Sequence, residues 1–399
     1  ELFAYYCGPK ASGAMHERFR AAADHWVDVT PMSDAQAAAR IAADGIDILV
    51  DVNGYTRDAR AGVFARRPAP VQVNWLGYPG TLGTPHHHYI LADEWIIPEG
   101  NERYYSETVL RLPCYQPNDR RRVVGPKPTR AEAGLPVQGF VFCSFNGSQK
   151  LTRFTLVRWA EILRRVPGSV LWLLDNGEEM RANVTAFLES QGIAPARLVF
   201  APKLANPDHL ARYPLADLFL DSSPYGAHTT ASDALWMGVP VLTFSGRSFT
   251  TRVCGSLVRA AGLPDMVADS PEAFVERAIA LASDPQALAA IRARLVAGRD
   301  ACTLFDMPRF ARALEALFEE MARRHQAGRT PQPDLTNLGA YLTAGCAFDH
   351  EAEEMLTRPD YEAAYRARLA RQHAREPLPA DGRLWSPPAA PRKRAARLR

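Results

Sequence analysis

The sequence lacks the features that commit a chain to a membrane or hold it together by cross-links. No run approaches the ~18 uncharged apolar residues of a spanning helix, and no charged-then-apolar leader opens it, so a soluble, unsecreted protein is expected. None of the six cysteines, at 7, 114, 143, 254, 302 and 346, falls in a C-x-x-C or other metal-ligand spacing. Most sit in apolar runs, so reduced core thiols and a cytoplasmic location are expected. A strong excess of charge is missing too. The 47 Lys and Arg meet 44 Asp and Glu, and a net +3 is too little for wholesale binding to nucleic acid or a membrane surface. No internal repeat of ~34 residues is visible.

What is present is an ordinary globular composition, 47% hydrophobic and 23% charged, over a length sufficient for two cores. Strand-like apolar runs alternate with amphipathic stretches, the pattern of parallel sheets covered by helices on both faces. The second half shows this best. Strand Phe140 to Phe145 leads into a helix at about 152–166, whose Leu156, Trp159, Ala160 and Leu163 share a face until Pro167 and Gly168 end it. Strands at 170–174, 198–200, 218–220 and 239–243 alternate with helices through Met180, His209 and Thr229, so a doubly wound domain is expected over 136–300.

The first half, 1–120, reads as a less regular, N-terminally incomplete α/β domain. It has strands at 2–6, 46–52 and 70–75 and helices at 15–23 and 35–43. An arginine- and proline-rich linker at 121–135 joins the halves across the surface. A helix at 307–324 closes the globular part within 301–327. Residues 328–399 read as a partly helical or disordered basic tail, with a charged helix at 351–373 and disorder from Pro377 onward. The terminal Arg392, Lys393, Arg394, Arg397 and Arg399 read as a solvated end rather than a nucleic-acid contact. Since the chain runs from Glu1 straight into an apolar strand, it is expected to be part of something longer.

Chemistry concentrates at strand ends. In Leu218 to Thr243 a buried strand gives way to a small-residue loop, and a helix starts at His228, Thr229 and Thr230. Free N–H groups and the macrodipole favour an anion there, and threonine hydroxyls add donors suited to a diphosphate. Asp233, one turn on, is placed to accept from ribose hydroxyls. The same pattern also suits an N-cap followed by a first-turn acid, so the loop's position at a strand's carboxyl end is what favours a ligand. Lys150, in the Cys143 to Lys150 strand-end loop, is poorly placed as a structural cation beside a helix start. It is well placed to neutralise a departing diphosphate. His209 and Arg212 follow a third strand end, where a histidine could meet a base or phosphate or be simply structural.

Long collinear stretches then carry a resemblance. Asn53-Gly54-Tyr55-Thr56, FARRPAPVQVNWLGYPGT from Phe64 to Thr81, Tyr105-Ser106-Glu107, CSFNGSQK, VPGSVLWLL, LADLFLDS and HTTASDALWMGVPVLT together resemble the catalytic region of the protein O-GlcNAc transferase (SPINDLY-like) family, most closely its bacterial members, over about residues 1–325. The resemblance implies a GT-B glycosyltransferase fold of two Rossmann-like domains. It implies metal- and cofactor-independent, inverting transfer of GlcNAc from UDP-GlcNAc to Ser/Thr hydroxyls of protein acceptors, without membrane or nucleic-acid partners. A related transferase using GDP-fucose or UDP-glucose, and a non-catalytic nucleotide-binding scaffold, are the alternatives.

By motif, the resemblance makes Lys150 the phosphate-contacting lysine, His228, Thr229 and Thr230 the phosphate-binding turn, and Asp233 the ribose carboxylate. It places His209, with Arg212, near the nucleotide and the backbone of Leu204 against the uracil. Leu76, Gly77, Tyr78, Pro79 and Gly80 fall near sugar and acceptor, although Gly-Pro alone reads as a tight turn. Asn206 stands where animal members have a lysine, and Tyr225 where they have a cysteine beside the N-acetyl group. The family's upstream His-Pro motif and tetratricopeptide repeats are expected before Glu1. No general base is assigned.

Overall fold

The computed structural model describes residues 1–8 and 11–387. The basic run from Arg392 to Arg399 therefore lies outside the described residues. The first half comprises β1 (Phe3–Tyr6), α1 (Ala14–Ala22), β2 (His25–Asp28), α2 (Asp34–Ala43), β3 (Ile48–Asp51), α3 (Ala61–Phe64), β4 (Val71–Asn74), β5 (Tyr89–Ala92) and β6 (Thr108–Arg111). Strands β1 and β2 pair in parallel, and β3-β4-β5-β6 form a separate four-stranded parallel sheet. Helix α2 begins at Ser33, whose hydroxyl and backbone form a reciprocal capping pair with Gln36. Its Ala37, Ala38 and Ile41 then pack with Val27, Leu49 and Phe64. Strands β2, β5 and β6 were not expected from the sequence. In β2 (HWVD) and β6 (TVLR) two apolar residues stand between polar ones, which gives no apolar run to read.

The second half comprises β7 (Val141–Ser144), α4 (Arg153–Arg165), β8 (Val170–Leu174), α5 (Glu178–Ser190), β9 (Leu198–Ala201), α6 (Asn206–Arg212), β10 (Leu218–Leu220), α7 (Thr229–Trp236), β11 (Val241–Phe244), α8 (Phe249–Ala260), β12 (Val267–Ala268), α9 (Pro271–Ser283) and α10 (Pro285–Gly298). The strands form one parallel sheet in the order β12-β11-β10-β7-β8-β9. This is the doubly wound order, in which the succession of strands reverses between β7 and β10. Strand residues buried on both sheet faces, among them Phe142, Leu171, Trp172 and Phe219, explain why these strands read as continuous apolar runs.

Helix α11 (Met307–Gln326) returns to the first half, where Phe310 and Met321 pack on Val71, Val73, Tyr89 and Leu91. A second tie is Trp95, between the guanidinium groups of Arg252 and Arg259, 4.9 and 4.3 Å from its ring, with its indole N–H donating to Ser245 Oγ at 3.1 Å. The buried Ser256 hydroxyl also donates to Asp93. Among the described residues no helix is long and apolar enough to cross a membrane.

The C-terminal segment corrects the sequence reading. The charged helix expected at 351–373 starts only at Tyr361 (α13, Tyr361–Arg375), after α12 (Leu338–Cys346). Residues 349–358 form turns clamped to the second half by a bidentate Arg158–Glu354 pair and by Leu356. The disorder expected from Pro377 does not apply to 377–387. Trp385 is buried beside Tyr341 and Leu369, and Asp381 accepts from the amides of Arg383, Leu384 and Trp385. Composition counted few large apolar residues there. Few suffice, because α12 and α13 supply the other wall of a small core.

Candidate active site

The loops after β7 and β10 flank the crevice where strand order reverses, the position at which open α/β sheets bind ligands. From the first, the Lys150 ammonium donates to the Gly226 carbonyl at 2.7 Å and lies 4.1 Å from the centre of the Tyr225 ring. Lys150 belongs to a 3-10 turn (Ser148–Lys150), and Thr152 caps α4, so the lysine precedes the helix rather than opening it. Burial lowers its pKa, and the Asp221 carboxylate opposes that.

From the second loop, His228 is the N-cap of α7 and makes no side-chain capping bond, so the N–H groups of Thr229 and Thr230 are not met by its side chain. Thr230 donates its hydroxyl to Asn146 Oδ1 at 2.6 Å, and Asn146 Nδ2 donates to Ser222 Oγ at 2.8 Å. The two loops are thereby bonded side chain to side chain. Thr229 is exposed at the mouth. Burial, with Lys150's charge adding to it, pushes the His228 imidazole down to about 3, so it is neutral at pH 7. Its Nε2 is buried and without a hydrogen-bond partner among the described residues. A buried orphan nitrogen beside a lysine and a helix start calls for a ligand oxygen.

Asp221 fixes this loop. The carboxylate, 5% exposed, accepts from the amides of Ser222 and Ala227 at 2.8 and 2.7 Å and from the Thr243 hydroxyl at 2.7 Å. Asp221 and Asn146 lie within the motifs LADLFLDS and CSFNGSQK, where the sequence alone assigns neither a role. Their sole signal was polarity at the end of a buried strand.

Other expected residues fall into place unequally. Leu204 is exposed on the loop leaving β9, and Asn206 begins α6. His209 is held about 5 Å from the rings of Phe145 and Tyr213. Burial, reinforced by Arg212, lowers its pKa to about 4. Arg212 lies beneath His209. At 2% exposure it bonds the Pro202 carbonyl at 2.6 Å and His209 Nδ1, which anchors His209 and the loop, while its Nε is buried without a hydrogen-bond partner among the described residues. Asp233 is nearly buried and paired with Arg122 of the linker, whose second nitrogen donates to Ser232 Oγ at 2.5 Å. The linker, expected as a simple surface connection, thus reaches into the crevice wall.

The first half faces this wall with Leu76 to Gly80. Leu76 takes φ +86°, and its carbonyl accepts from the Tyr115 hydroxyl. Gly77 passes so close to Val52 that a Cβ would lie 2.1 Å from its carbonyl oxygen. Tyr78 packs edge-on against Tyr55, and burial, with Tyr78 adding, raises the pKa of Tyr225. Pro79 and Gly80 complete the turn, where the Gly80 carbonyl accepts from Asn74 Nδ2 at 2.9 Å. Behind it lies a cavity of about 260 Å³ bordered by Asp51, Tyr55, Thr84 and His87. The bonds of His87 to Asp51 at 3.2 Å and to Thr84 at 2.8 Å occupy both ring nitrogens, which marks that group as structural.

Comparison with known proteins gives a consistent picture. The model of glycosyl transferase family 41 matches residues 1–119 and 124–314. A probable UDP-N-acetylglucosamine-peptide N-acetylglucosaminyltransferase of Arabidopsis thaliana, SEC, is 37% identical over 340 residues, 83% of this chain and 35% of that protein. SPINDLY of Solanum lycopersicum, with the same name otherwise, is 35% identical over 315 residues, 77% of this chain and 33% of its own length. The chain therefore spans about a third of these curated relatives. Among solved structures, a mutant of the Thermobaculum terrenum O-GlcNAc transferase superposes with TM-score 0.75 at 35% identity, covering 81% of this chain and 62% of that one.

Proposed function

Because the chain belongs to glycosyl transferase family 41, we propose that it transfers GlcNAc from UDP-GlcNAc to serine and threonine hydroxyls of proteins, with inversion at the anomeric carbon. Its two halves have the GT-B architecture of the Thermobaculum enzyme. The observation that carries the reading is the convergence of Lys150, the orphan Nε2 of His228 and the start of α7 at the strand-order reversal. When the acceptor hydroxyl attacks C1 of the sugar, the C1–oxygen bond breaks and negative charge grows on the leaving UDP. A fixed ammonium, a neutral imidazole N–H and helix amides are already oriented to receive that charge, without solvent reorganisation. These groups take the place of a bound metal in the proposal. The Tyr78 and Tyr225 loops border the sugar and acceptor side, and the Leu204 loop with His209 borders the base. The free thiols at 7, 114, 143, 254, 302 and 346 support a reducing, cytoplasmic setting.

The test is donor turnover by the full-length protein with UDP-GlcNAc, GDP-fucose and UDP-glucose, each with a Ser/Thr peptide and with EDTA present. UDP-GlcNAc alone is expected to be consumed with transfer to peptide. Turnover of only the guanosine donor would overturn the donor assignment, and UDP binding without any transfer would overturn the enzyme assignment.

A further inference from the structure

The segment between the halves is pinned down rather than slack. Asn118 is 3% exposed and accepts from the Ser232 hydroxyl. Arg120 bonds the Phe305 and Asp300 carbonyls, both at 2.7 Å. The Gly125 amide donates to the Pro207 carbonyl at 3.0 Å, so the strand of chain runs from α7 across to α6. In the proposed reading these two helices bound the nucleoside end of the crevice. Midway, the guanidinium of Arg122 lies 5.6 and 5.7 Å from the rings of Trp236 and Phe305. One nitrogen donates to Ser232 Oγ and another to Asp233 Oδ1, while no hydrogen bond to Asp233 Oδ2 is found among the described residues. The family model matches 1–119 and 124–314, so Arg122 falls in the four residues between the two matched segments.

We propose that Arg122 is a positioning residue for the donor's ribose, acting through Asp233. It fixes the carboxylate by one oxygen and turns the other oxygen toward the ribose hydroxyls. A planar fork bridging Ser232 and Asp233, with aromatic rings beneath it, holds direction as well as charge. Lysine, a point charge on a flexible stem, would supply only the charge. The inference rests on the nucleotide reading of the crevice.

The experiment titrates UDP and 2′,3′-dideoxy-UDP into the wild-type protein, Arg122→Gln, Arg122→Lys and Asp233→Asn, with melting temperatures measured alongside. Wild type is expected to prefer UDP by about tenfold, the worth of a charge-assisted hydrogen bond. Arg122→Gln is expected to lose most of that preference while binding the dideoxy ligand as wild type does, and Arg122→Lys to fall between. In kinetics, KM for donor rises and kcat stays within about threefold. Adding Arg122→Gln to Asp233→Asn is expected to change nothing further. That cycle decides the matter even if one single variant folds poorly. Equal losses for both ligands in Arg122→Gln, or no loss for either, overturn the inference while leaving the crevice reading intact. A wild-type protein that binds neither ligand overturns the crevice reading, and the inference with it.

Discussion

Replacing Lys150 by methionine separates catalysis from folding at this site. The substitution keeps the apolar stem and removes one partly buried ammonium. In the resting protein that ammonium makes one bond, to the Gly226 carbonyl at 2.7 Å, and covers the Tyr225 ring. Losing a charged hydrogen bond and an aromatic contact removes about 1–3 kcal/mol at most. Part of that returns, because burial already disfavours the charge. Melting is therefore expected to shift by a few degrees. In the transition state the same ammonium faces charge that the ground state lacks, and deleting one preoriented donor of this kind costs about 10²–10³ in kcat. The assay is steady-state transfer to peptide, with UDP affinity and melting measured on the same preparations. A kcat within fivefold of wild type, or a loss matched by unfolding, would refute the role given to Lys150.

Three further outcomes follow from the geometry. Gly77→Ala sets a Cβ 2.1 Å from the Val52 carbonyl, so urea unfolding should show a loss of about 2 kcal/mol; an unchanged midpoint would mean that the loop yields freely. Glu354→Ala strands the Arg158 guanidinium, 14% exposed, and should cost about 2–3 kcal/mol and speed proteolysis within 328–387; a cost below about 0.5 kcal/mol would place the pair among ordinary surface contacts. Burial, with Arg67 adding, lowers His88 to about 4, and its Nδ1 accepts from the Gln72 amide at 3.0 Å. The fold thus favours the neutral ring. Its contribution is complete above pH ~6.5 and drains away toward pH ~4, reaching about 2 kcal/mol by pH 5. His88→Gln should lose correspondingly less stability than wild type between pH 7.5 and 5 in urea titrations, and equal losses would contradict that assignment.

The local signals were in the sequence. Apolar runs such as Val170 to Leu174 and the Leu156–Trp159–Leu163 stripe gave the second half's alternation, because strands buried on both faces tolerate little but hydrophobic side chains. Lys150, His228 and Thr230 were legible for a related reason: a strand end followed by small and polar residues is where backbone donors gather. Strands β2 and β6 were not legible, since each has only two apolar residues between polar ones. Nor was the ordering of Trp385, whose burial depends on two helices meeting it. Tertiary structure alone decided that Arg212 is buried against its own loop and His209. It likewise decided that an arginine in a proline-rich linker becomes the partner of Asp233, 111 residues away. Periodicity reports which face of an element seeks burial. It carries no information about which distant polar group will satisfy another once both are withdrawn from water.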